Sequence, residues 1–218
     1  MFVNRCLALP PMRCYLIRHA HTLWNGENRL QGRSDVPLSP LGERQAECVG
    51  VRFASHRLQG LFTSDRQRSV QTAHRIISGN GHRLSPVVEP ELAEIHLGAW
   101  EGLIPEEIDA RFQNAYQQWR EHPSSVVIPD GEPLSVFRER VRRALSRILS
   151  GVVEGEVAVV THGGVIAAFL ADTLGADYDR LLRRLRLDNA GITAIEFEAG
   201  VPHVLWINST THLEEAIR

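Results

Sequence analysis

Apolar positions along the chain fall into short unbroken runs and runs with helical spacing, and the two kinds alternate. The run Cys14-Tyr15-Leu16-Ile17 stops at Arg18-His19 and gives way to polar residues, as a strand buried on both faces does at the end of a sheet. Ser39-Pro40 supplies a cap residue followed by proline, and a helix then runs through Glu43, Ala46, Val49 and Phe53. A strand is expected over 58–63 and a helix over 66–77, ending before Gly79-Asn80-Gly81; residues 84–88 read as a third strand. Ser135 is expected to cap a helix with the apolar stripe Phe137, Val141, Leu145 and Ile148. Arg138, Arg142, Arg143 and Arg147 take its solvated face, with Glu139 paired to Arg143 one turn on. The run 156–161 ends in His162-Gly163-Gly164 and leads into an apolar helix over 165–171 that closes near Gly175. Two last strands, 192–197 and 201–207, read as a hairpin about Ala199-Gly200.

Strands alternating with helices predict an α/β fold, and in open α/β sheets ligands bind beyond the carboxyl ends of the strands. Arg18-His19 alone is better explained by a strand that stops in solvent. A second strand ending in His162 turns the pair into a candidate site, because strand, histidine, glycine turn and helix together aim free N–H groups at an anion. The stretch 63–73 adds arginines at the start of a helix, where the dipole disfavours cations unless a bound anion offsets them. Phe112, Tyr116 and Trp119 recur at helical spacing and read as packing rather than a cofactor box.

Composition narrows the chemistry. The 218 residues suit one α/β domain, 43% hydrophobic and 23% charged, and the net charge of −2 gives no basic field for nucleic acid. No apolar run approaches the ~20 residues that span a bilayer. Three cysteines without metal-like spacing point to a reducing compartment, hence a cytoplasmic location, rather than a disulfide framework. The 24 basic residues are all arginine. The absence of lysine excludes a Walker-type phosphate loop and Schiff-base or pyridoxal chemistry. Residues 1–11 are too short and broken for a signal peptide and read as a non-structural extension, with Met12 a second candidate start and 12–218 a single domain.

The motifs, taken in order, resemble the histidine phosphatase superfamily, in the branch of cofactor-dependent phosphoglycerate mutases and broad-specificity phosphatases. They are Arg18-His19-Ala20-His21-Thr22 with Trp24-Asn25; Arg29-Leu30-Gln31-Gly32; Ser64, Arg68 and Gln71-Thr72-Ala73; 94–102; and His162-Gly163-Gly164. The resemblance implies a three-layer α/β/α sandwich with a mostly parallel central sheet. It also implies catalytic roles for His19, Arg18, Arg68, Glu94 and His162, and substrate binding by Asn25, Gln31, Gly32, Thr22 and Gly163. Arginine grips phosphate bidentately, and a neutral imidazole on His19 can form a phosphohistidine that divides hydrolysis into two steps. His162, charged, would complete the cradle with the Gly163 and Gly164 amides. Glu94 would be the acid/base; spacing alone does not distinguish it from Glu91 or Glu101. Two residues depart from the family pattern. Ala20 replaces a glycine and puts a methyl beside His19, and His21 replaces an acidic or amide residue.

The expectation is a histidine acid-type phosphatase, a phosphoric monoester hydrolase acting on small metabolites with neither metal nor other cofactor. A homodimer stays open. The alternatives are a phosphoglycerate mutase using the same residues, a metal-dependent hydrolase using the His19/His21 pair, and a non-catalytic phosphoprotein-binding module. Metal-dependent hydrolases of that kind usually need a barrel of about 250 residues. Binding alone needs no nucleophile. Between glutamate and second histidine the chain lacks the mutases' longer basic segment, which favours hydrolysis.

Overall fold

A computed structural model describes residues 11–78 and 84–214. The strands β1 (Met12–Arg18), β2 (Leu58–Thr63), β3 (Val87–Val88), β4 (Gly155–Thr161), β5 (Ile192–Glu198) and β6 (Val201–Ser209) form one sheet. Their order is β3-β2-β4-β1-β5-β6. The first four are parallel neighbours, and β5 and β6 add an antiparallel hairpin at one edge. Among the described residues eight α-helices accompany them: α1 (Leu23–Gly26), α2 (Pro40–Phe53), α3 (Gln67–Ser78), α4 (Pro105–Arg111), α5 (Ala115–Glu121), α6 (Leu134–Ser150), α7 (Gly163–Leu174) and α8 (Tyr178–Leu182). None of the described helices is long and apolar enough to cross a membrane.

The unbroken apolar runs of β1 and β4 have a direct cause. Cys14, Leu16, Val157 and Val159 pack into a core under α6 and α7, with Phe137, Val141 and Leu145. The alternate residues Tyr15, Ile17, Ala158 and Val160 pack into a second core under α2 and α3, with Val49, Phe53 and Ile76. Successive side chains of a strand point to opposite faces, so a strand covered on both sides admits no polar position. This is the expected three-layer sandwich. Each fully buried side chain of leucine or phenylalanine size contributes about 1.5–3 kcal/mol, which fixes the strand ends that carry the site.

Local signals behave as their chemistry requires. Ser39 Oγ accepts the Gly42 N–H at 3.1 Å and starts α2. Gly175 ends α7 at φ +59°, and Ala199 and Gly200 take φ +50° and +82° in the hairpin turn. The four rings Trp100, Phe112, Tyr116 and Trp119 cluster with centroids 5.9–6.5 Å apart, a packing role.

Three expectations need correction. Ser135 caps nothing: α6 begins a residue earlier, and Pro133, which has no N–H to satisfy and a φ of −58°, takes the cap position. Glu139 pairs with Arg142 at i,i+3, because Arg143 reaches off the helix to Glu91. The third strand shrinks to two residues at the sheet edge. The expectations for 1–10 and for Gly79-Asn80-Gly81 lie outside the described residues.

Candidate active site

Register builds the centre of the site. Arg18 lies opposite Thr161 in the β1–β4 pair, so the next residue of each strand emerges side by side. His19 N donates to Thr161 O at 2.8 Å, and the His19 and His162 rings stand 5.2 Å apart, tilted by 58°. Both histidines are buried.

His19 Nδ1 lies 2.8 Å from Ala20 O. A carbonyl can only accept, so Nδ1 carries the proton and the lone pair is on Nε2. Burial, then Arg68 and Arg18, drive the His19 pKa well below the ordinary histidine value, which keeps that lone pair unprotonated at neutral pH. Ala20 does not crowd the ring. Its N donates to Thr72 Oγ1 at 3.1 Å, its φ is not positive, and its methyl packs in the second core with Leu38 and Ala46.

Two guanidiniums flank the histidines. Arg68, on the first turn of α3 and fully buried, donates Nη1 to Ser34 O at 2.6 Å and Nη2 to Gly32 O at 2.7 Å. Gly32 sits at φ +51° to present that carbonyl. Burial pushes Arg68 down to about 10, so it stays cationic at pH 7. Arg18 donates Nη1 to Leu187 O. The Nε atoms of both arginines are buried with no hydrogen-bond partner. Arg66 is not part of this group; it forks onto Asp65.

His162 shows the same deficiency. Its Nε2 lies 2.7 Å from Ser64 Oγ, while Nδ1 is buried without a partner. Burial, followed by Arg68, His19 and Arg18, holds its pKa well below the ordinary value. Without a bound anion this favours a neutral His162, and a dianion between these groups opposes the shift. Arg18, Arg68 and His162, each with one buried nitrogen (Nε, Nε and Nδ1) that has no protein partner, thus line one cavity. Buried donors are almost always paired, so a cluster of such orphans marks a place for an anion.

Glu94 faces them across the cavity. Its Oε2 accepts Gly164 N at 3.0 Å and its Oε1 accepts Ile95 N at 2.9 Å. A Cβ on residue 164 would meet Glu94 Oε1 at 2.3 Å, so the second glycine is required for this approach. The Gly164 amide thus serves Glu94 rather than an anion, and Gly163 does not line the cavity. The main chain of Glu94 is clamped from beneath. Arg140 donates to Glu91 O, Ala93 O and Glu94 O at 2.7, 2.6 and 2.9 Å, and forks onto Glu132 at 2.7 and 2.8 Å. Glu91 pairs with Arg143 and Arg147, and Glu101 binds the Arg33 and Leu97 amides, so neither reaches the cavity.

The cavity holds about 270 Å³ above a polar floor. Gln31 and Gly32 line it, and Gln31 Oε1 is buried without a partner. Asn25 lines it too; its Oδ1 accepts from Thr22 N and Asn189 Nδ2, which leaves its NH₂ for the cavity. Thr22 is absent from the lining. It is buried and caps α1 by accepting Asn25 N at 3.2 Å. The upper wall is apolar and aromatic: Trp24, Leu97, Tyr116, Trp119, Leu134 and Leu182. Arg29 is the one cation there among the described residues, and it is already engaged with Glu27, Glu107 and Gly102 O.

His21 turns away from His19, with Nδ1 2.8 Å from Ser39 Oγ, so the pair does not converge as metal ligands would. Among the described residues no three His, Cys, Asp or Glu side chains come together as a metal site. Sequence reasoning missed Ser64 as a partner of His162, Asn189, Tyr178 and Arg140. For Arg140 a signal existed: it falls on the stripe of Phe137, Val141 and Ala144, where a charge must be buried. Asn189 carried none.

The model of a family described as "Histidine phosphatase superfamily (branch 1)" matches residues 14–210. "Probable phosphoglycerate mutase GpmB" of Yersinia enterocolitica is 32% identical over 214 residues, covering 94% of this chain and 92% of that protein. Bacillus stearothermophilus YhfR superposes with a TM-score of 0.86 at 31% identity, over 93% of this chain and all of the other. A mycobacterial glucosyl-3-phosphoglycerate phosphatase, solved with VO3, gives 0.82 at 28% identity, over 91% and 99%.

Proposed function

The chain belongs to branch 1 of the histidine phosphatase superfamily, and from that membership we propose that it hydrolyses phosphate monoesters through a phosphohistidine on His19. The observation that carries the proposal is that Arg18, Arg68 and His162, each with a buried nitrogen lacking a protein partner, line one cavity with an imidazole whose free lone pair is on Nε2. In the first step His19 Nε2 forms a bond to phosphorus as the P–O bond to the alcohol breaks. Glu94 gives its proton to the departing oxygen. Arg18, Arg68 and His162 hold the three non-bridging oxygens, whose charge dominates the barrier. In the second step water attacks phosphorus, the P–N bond breaks, and Glu94 takes the water proton. Phosphate and the starting enzyme result. Asn25 and Gln31 serve the substrate; Thr22 and Gly163 act only through α1 and the start of α7.

The apolar upper wall supports a substrate whose alcohol portion is apolar or aromatic rather than a second anion. Burying one such ring there contributes about 25 cal/mol per Å² of apolar area removed from water. A phosphoglycerate carboxylate would need a cation, and Arg29 is already engaged with Glu27 and Glu107. This supports a phosphoric monoester hydrolase of the histidine acid type over a mutase. The mutase reading has the motif resemblance and the name of the Yersinia relative behind it. One assay separates them: incubation with 3-phosphoglycerate and catalytic 2,3-bisphosphoglycerate, beside an aryl phosphate. Rapid release of phosphate from the aryl ester with little isomerisation is expected. Isomerisation outpacing phosphate release would refute hydrolysis as the main activity. We place all of this in one domain over 12–218, in the cytoplasm, where free cysteines such as Cys14 stay reduced.

A further inference from the structure

Ser64 follows β2 and is fully buried, yet it makes no contact with the cavity. Its hydroxyl has two neighbours. The oxygen accepts Arg66 N–H at 3.2 Å, and it lies 2.7 Å from His162 Nε2. With a lone pair committed to Arg66, the hydroxyl hydrogen is the group left to bond, and His162 Nε2 is the acceptor in reach. The opposite arrangement, Nε2–H donating to Ser64, would leave that hydrogen with no acceptor in a buried place. It would also turn the Nδ1 lone pair toward the phosphate site, against an anionic oxygen.

We propose that Ser64 is a positioning residue that fixes His162 as the tautomer protonated on Nδ1, so that a neutral His162 donates a hydrogen bond to the phosphoryl group. The inference rests on the phosphate site described above and explains why Nδ1 is buried without a protein partner. It also removes a conflict. His162 is surrounded by Arg18 and His19 of the β1 end, Arg68 of α3 and, further off, Arg140 of α6, all of which oppose its protonation. A ring oriented by Ser64 does not need to be charged to donate. Ser69 Oγ, 3.4 Å from the same Nε2, is too distant to set the tautomer.

The direct test is two-bond ¹H–¹⁵N correlation of histidine-labelled protein with inorganic phosphate, His162 being assigned by His162→Asn. Wild type is expected to show a protonated Nδ1 and an unprotonated Nε2 at pH 7.5. Ser64→Ala should lose this pattern, Ser64→Thr should keep it, and Ser69→Ala should not alter it. In turnover of an aryl phosphate, Ser64→Ala should lose roughly 10–100-fold in kcat, less than the 10²–10³ of deleting a donor outright. The ratio of variant to wild type should improve as the pH falls and the ring of the variant gains both protons; Ser64→Thr should restore it. A wild-type ring protonated on Nε2 would overturn the proposal, as would a Ser64→Ala deficit that is constant with pH. The tautomer readout needs no turnover, so it stands or falls separately from the hydrolytic reading.

Discussion

Arg140→Ala removes a guanidinium whose side chain is only 8% exposed, leaving Glu132, 9% exposed, without its fork of hydrogen bonds at 2.7 and 2.8 Å. Glu132 would keep the His96 amide at 3.3 Å and Arg33 at 3.5 Å, neither of which replaces a bidentate partner. The carbonyls of Glu91, Ala93 and Glu94 would lose their donor as well. Breaking a buried pair in this way costs about 3–5 kcal/mol, most of it from the charge left behind. Arg143→Ala, on the exposed face of the same helix, should cost far less, because its pair with Glu91 is screened by solvent. Urea unfolding monitored by circular dichroism measures both. Deleting the two partners together should cost less than the sum of the single losses, with a coupling of roughly 1–3 kcal/mol. Turnover adds a second readout. Loosening the main chain at Glu94 should slow alkyl phosphates, which need an acid, more than nitrophenyl phosphate. Arg140→Ala no costlier than Arg143→Ala, or strict additivity with Glu132→Ala, would refute the reasoning.

Three further outcomes follow from the same geometry. Arg68→Ala should reduce kcat by about 10²–10³, and Arg66→Ala, which frees Asp65 and Arg33 O outside the cavity, should stay within a few-fold; the reverse order in steady-state kinetics would remove Arg68 from the site. Glu94→Gln should slow alkyl phosphates far more than nitrophenyl phosphate, and equal losses would move the acid/base role elsewhere. His19 and His162 both have folded pKa values below the unfolded value of about 6.5, so the unfolded chain binds more protons as pH falls through that range. Stability should therefore be full above ~pH 7 and decline below about 6.5, and the urea midpoint of His19→Asn should decline less steeply than that of wild type.

The parts of this protein readable from its sequence are those fixed by local periodicity. The runs of β1 and β4 are apolar because both faces are covered, and the same runs end at the histidines, so strand and site were legible together. Glu94 was not separable from Glu91 and Glu101 by spacing; only the three-dimensional path of 90–102 sends one of them to the α7 N-terminus. The methyl of Ala20 was a concern in sequence and is harmless in space, because its Cβ points into the α2 side of the sheet. Ser135 carries a cap signal, a serine before an apolar stripe, but the helix already starts at Leu134 behind Pro133. Asn189 reaches Asn25 and His19 from 164 and 170 residues away, a pairing set by the β1–β5 connection and by no local pattern.

The central claim is a covalent bond between phosphorus and His19 Nε2, and rapid mixing with a ³²P-labelled aryl phosphate followed by an alkaline quench tests it most directly. A phosphoenzyme that is stable in base, labile in acid, substituted at Nε2 of His19 and missing from His19→Asn is the predicted result. Single-turnover hydrolysis without a covalent intermediate, or label found on His162, Ser64 or Glu94, would contradict it.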